Sequence, residues 1–107
     1  MNDLSKIQQK VIVTLYKSYL DRKTSMSDRD ARSFPDLSYI RENYFNDIDT
    51  EDLFSICCAL NRCGYISCSF YDNTALFIAI SDKTIDCMQH RFYNNAKAVL
   101  EFLVSLK

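Results

Sequence analysis

One glycine in 107 residues, Gly64, stands where the spacing of apolar side chains changes, and this constrains the fold more than any other feature. Before it, Leu53, Ile56, Cys57 and Leu60 repeat at i, i+3, i+4 and i+7, the period of a helix buried on one face. After it, Ile66, Cys68 and Phe70 alternate with Ser67, Ser69 and Tyr71, the period of a strand. The residue just past a helix end needs positive φ, which glycine adopts without steric cost, and apolar Tyr65 follows as such a stop requires. The spacing predicts a helix over 50–63 that ends at Gly64 and passes at once into a β-hairpin. Asp72-Asn73 supplies the turn, and Leu76, Ile78 and Ile80 alternate with Phe77 and Ala79 on the return strand.

The flanks are helical. Leu4, Ile7, Val11, Leu15 and Tyr19 set a first helix over 3–20, capped by Asn2 or Asp3. The polar stretch 21–35 reads as a long loop with a short strand near Phe34. Asp36 caps a short helix over 37–45 bearing Leu37, Ile40 and Tyr44. Asp49 and Asp52 form an acidic capping arrangement for the helix at 50. Ser81 caps a fourth helix through 91, and after a break at 93–95 a last helix carries Ala96, Val99, Phe102, Leu103 and Leu106. The expected order is α-α-α-β-β-α-α in one α+β, mainly α, domain spanning 1–107.

Composition excludes several functions. With one Gly and one Pro, no glycine-rich phosphate loop can be written, and a single histidine, His90, leaves little scope for nucleophile–base or metalloprotease chemistry. The chain reads as a non-enzyme without a cofactor. Its five cysteines are never spaced CxxC, so they are expected as small core groups kept as thiols in the cytoplasm, not as metal ligands. The first twenty residues hold three lysines and no continuous apolar run, so neither a signal peptide nor a membrane span is expected.

Two segments resemble a known family. LNRCGYI, residues 60–66, resembles the L-x-x-x-GYI junction between recognition helix and first wing strand in small bacterial and phage winged helix-turn-helix proteins. IAISDKTIDCMQHRF, residues 78–92, is similar to the I-x-IT-x-KGID-x-(I/L/M)-E-x-x-F ending of the same group, with Ser81 in place of Thr and Thr84 in place of Gly. The resemblance implies a winged-helix fold over roughly residues 36–92 and a DNA-binding transcriptional regulator. In such a protein the third helix enters the major groove and the wing touches backbone or minor groove. Arg41, Thr50, Ser55, Arg62, Asn73 and Lys83 are then the expected contacts to duplex DNA.

Charge points elsewhere. Residues 1–41 hold eight basic and five acidic groups, residues 42–61 none and five, residues 62–107 five and four. The segment expected to meet phosphate is therefore the most acidic, whereas affinity for DNA rests largely on phosphate neutralisation. The wing carries no Lys or Arg between Arg62 and Lys83. The alternative is a protein-interaction module that contacts its partner through Glu51, Asp52, Tyr71 and Phe77. In either case Val99, Phe102, Leu103 and Leu106 form a stripe expected to build a homodimer, assisted by the first helix.

Overall fold

A computed structural model describes residues 1–106. The elements run α1 (Lys6–Arg22), α2 (Asp28–Ala31), β1 (Ser33–Asp36), α3 (Leu37–Tyr44), α4 (Thr50–Arg62), β2 (Ile66–Tyr71), β3 (Thr74–Ile80), α5 (Asp82–Phe92) and α6 (Ala96–Ser105). The fold is α+β and mainly helical, with a small antiparallel sheet in the order β1-β3-β2.

Helix α1 is the centre of the molecule. It buries Val11, Ile12, Val13, Leu15, Tyr16, Tyr19 and Leu20 over most of its circumference, because α2, α4, α5 and α6 all pack on it. Its cap is Ser5, not Asn2 or Asp3. Ser5 Oγ accepts from Gln8 N–H while the Gln8 side chain accepts from Ser5 N–H, a reciprocal capping box. Asp3 instead accepts from the Tyr65 hydroxyl at 2.8 Å. Ile7, expected inward, remains exposed.

The stretch 21–35 is more ordered than its polarity suggests. Helix α1 runs on to Arg22, Ser27 caps the four-residue α2, and β1 sets Phe34 opposite Ile78 in the sheet. The strand near Phe34 is present as expected. Helix α2 buries only Ala31, so it has no apolar period to read.

Asp36 Oδ1 caps α3 by accepting from Tyr39 N–H at 2.8 Å. Buried Phe45 and Ile48 then pin the turn into α4. The stop of α4 is a complete Schellman motif. Gly64 has φ +83°, its N–H donates to the Asn61 carbonyl at 3.1 Å, and Tyr65 N–H donates back to the Leu60 carbonyl at 2.9 Å. At the other end the acidic capping box does not form, since Asp49 occupies the cap position without a side-chain capping bond.

The hairpin turns on Asp72 and Asn73, both at positive φ as a two-residue I′ turn demands. Pairing along β2 and β3 shifts by one residue between Ser67 and Ser69, leaving an extra residue on β3. Phe77, at φ +54°, lies in this bulge. The bulge undoes the expected alternation: Ala75 is fully buried and Leu76 only half-buried. Beyond α5, Tyr93 and Asn94 take left-handed conformations that reverse the chain. Phe92 and Phe102 then meet at 5.6 Å, and Val99 is fully buried, as α6 docks on α1.

Candidate interaction face of helix α4 and the hairpin

The six residues expected at DNA are spread over α3, α4, the hairpin turn and α5. Arg41 and Thr50 line one small cleft at its start, where Arg41 Nε donates to the Ile48 carbonyl at 2.8 Å. Ser55 is exposed mid-helix, and Arg62 is exposed at its end, about 18 Å from Thr50 along the axis. Asn73 is a turn residue whose positive φ is its evident task. Ala59, between Ser55 and Arg62, is buried.

Lys83 is occupied structurally. Its Nζ donates to the Cys63 carbonyl at 2.8 Å and sits 4.3 Å from the centroid of the Tyr65 ring. Two neighbours on α5 act alike: Ser81 Oγ donates to the Gly64 carbonyl and Thr84 Oγ1 to the Tyr65 carbonyl, each at 2.6 Å. Three consecutive carbonyls at the end of α4 are thus held by side chains from the start of α5. This gives Thr84 a role where the family pattern has glycine: its hydroxyl is fully buried and bonded.

Elsewhere the cations are mostly engaged. Lys17 pairs with Asp21 at 2.9 Å, and Arg32 bridges Asp28 at 2.6 Å and Asp82 at 2.7 Å. Arg22 lies over the Phe34 ring at 4.7 Å. Arg29, exposed beside α2, and Arg62 make no ion pair among the described residues.

The four residues of the alternative surface fall in four separate places. Glu51 shares the outward line of α4 with Arg62, whereas Asp52 lines a cleft with Ile7, Asp47, Asp49 and Ser55 on the α1 side. Tyr71, 73% exposed, stands at the end of β2. Phe77, 75% exposed, lines a different cleft with Arg22, Ser33 and Pro35. Two residues not among the expected contacts lie where α4 meets the hairpin. Phe54 and Phe70 meet edge to face at 5.8 Å, and Phe70 is half in solvent. The available signal was Phe54 itself, an apolar residue off the inward stripe of α4.

Burial pushes the Cys57 thiol up to about 12, so it stays a protonated core group. Burial, with the Asp3 carboxylate as acceptor, pushes Tyr65 up to about 12, and burial with Asp28 does the same to Tyr19. Among the described residues no three His, Cys, Asp or Glu side chains stand where they can share a metal ion, and no helix is long and apolar enough to cross a membrane.

The last helix also differs from expectation. Val99 and Phe102 are consumed within the chain, Leu103 and Leu106 are half-buried against α1, and the exposed apolar residues of α6 are Leu100 and Val104. Comparison with protein-family models, curated proteins and solved structures finds no match for this chain.

Proposed function

We propose that the chain is a winged helix-turn-helix domain whose third-helix-and-wing face contacts a protein. The fold reading is supported by the helix pair α3–α4, joined by a short buried turn, running through a glycine stop into a hairpin. The observation that carries the function is the make-up of that face. It presents the Phe54–Phe70 pair and exposed Glu51, with exposed Tyr71 beside it at the end of β2 and Arg62 as a cation in no ion pair among the described residues. Aromatic residues and a solitary arginine are the composition of protein contact surfaces. A DNA-binding face needs several cations to displace counterions.

Site-specific photocrosslinking in cells tests this reading. A photoreactive phenylalanine analogue replaces Tyr71 or Phe70, with Met26 on the far turn as control. Protein adducts from the first two positions and none from the third are expected. Nucleic-acid adducts from Tyr71 would instead favour a DNA-binding regulator, the reading supported by exposed Arg62 and by the sequence resemblance.

A further inference from the structure

Two shallow clefts meet at one side chain. The first, about 290 Å³, lies between α1 and α6 and is lined by Lys6, Ile7, Lys10, Leu103 and Leu106. The second, about 460 Å³, lies between α1 and the start of α4, with an apolar floor of Ile7, Ile48 and Ile56 and a rim of Asp47, Asp49 and Asp52. Ile7 belongs to both and is 41% exposed although it is an isoleucine on the central helix. The apolar surface continues along α6, where Leu100 (51% exposed) neighbours Leu103 at i+3 and Val104 (59% exposed) at i+4.

We propose that this face pairs with a second copy of the chain about a two-fold axis near Ile7. The basic, α6-lined cleft of one protomer then covers the acidic cleft of its partner. A two-fold interface must be self-complementary, and a patch with cations on one side of a shared apolar centre and carboxylates on the other meets that condition. A basic peptide would satisfy the carboxylates but face Lys6 and Lys10 with like charge, and an acidic peptide would do the reverse. A copy of the same face satisfies both. The carboxylates are available: Asp49 makes no capping bond, and neither Asp49 nor Asp52 is in an ion pair among the described residues. The Lys10–Asp47 pair at 3.4 Å is solvent-exposed, hence weak and open to exchange across the axis. This surface uses the α1 side of α4, so Phe54, Phe70 and Tyr71 stay outside it and the proposal stands apart from the function above.

Sedimentation velocity of the full chain, up to about 100 µM, reads the outcome. Wild type is expected as a dimer. Lys6→Glu and Asp52→Lys, both at exposed positions, are each expected to weaken it about tenfold or more, as close interfacial charge pairs do when reversed. Their equimolar mixture is expected to recover dimer, because the heterodimer restores attraction at both copies of the pair. If circular dichroism shows that either reversal disturbs a helix end, Lys6→Gln and Asp52→Asn serve instead, with smaller weakening expected of each alone. A wild-type monomer at the highest concentration, a dimer indifferent to these changes, or a reversed-charge mixture that stays monomeric would each overturn the proposal.

Discussion

Gly64 and Phe77 both hold positive φ, and they do so for opposite reasons. At Gly64 a Cβ would meet only the Lys83 Cδ at 3.7 Å, so space is not the constraint; backbone conformation is. Gly64→Val is therefore expected to cost about 1–2 kcal/mol, the penalty for an L-residue in the left-handed region, read as a lowered urea midpoint with unchanged m-value. At Phe77 the sheet imposes the same region on a bulky residue against its local preference, a strain found where a side chain must be aimed. Phe77→Gly relieves that strain while loosening the unfolded chain, so stability within about 1 kcal/mol of wild type is expected by thermal melting. The glycine was legible in the sequence because no other residue suits its place. The bulge was not, because period-2 alternation continues through it in the sequence and only cross-strand register reveals the extra residue.

Residue-scale titration adds a further expectation. Tyr19 and Tyr65 titrate near 12 in the fold, above their ordinary value of 10. The protonated phenols are thus bound more strongly by the folded chain, which makes their contribution complete below pH 10 and lost as pH rises from 10 toward 12. Urea midpoints should fall across that window. Tyr65→Phe and Tyr19→Phe should flatten the slope while lowering stability near neutral pH by about 1 kcal/mol each through the lost hydrogen bond.

Between elements, the junction of α4 and α5 is where local sequence and long-range structure part company. The stop at Gly64, the turn at Asp72-Asn73 and the cap at Ser81 are local signals, and all three were readable. That Ser81, Lys83 and Thr84 hold the carbonyls of Cys63, Gly64 and Tyr65 was not, since it joins groups about twenty residues apart whose approach depends on the whole hairpin. Thr84→Val removes one buried bond and keeps the shape. The Tyr65 carbonyl still accepts from Ser81 N–H at 3.1 Å, so a loss of about 1 kcal/mol is expected, measured by denaturant unfolding. The start of α4 shows the converse error: Asp49 and Asp52 have the spacing of a capping arrangement, yet Asp49 points no oxygen at the helix N–H groups. The sequence could not distinguish a cap from carboxylates left to solvent, because both favour the positive helix end.

Across the whole molecule, the order of the five longer helices and the hairpin follow from apolar periodicity, while the working surface follows from which charges the fold consumes. In the basic N-terminal third, Lys17 and Arg32 are in ion pairs and Arg22 lies over Phe34. Lys83, from the start of α5, closes α4. What stays outward on α4 and the hairpin is aromatic, neutral or acidic apart from Arg62. A polarisation titration of a labelled mixed-sequence duplex at about 50 mM salt, where phosphate contacts are strongest, asks directly whether that surface grips DNA. No saturable complex is expected from the folded chain; a complex that dissolves steeply as salt rises toward about 200 mM and is lost in Arg62→Glu would contradict a protein-contacting face.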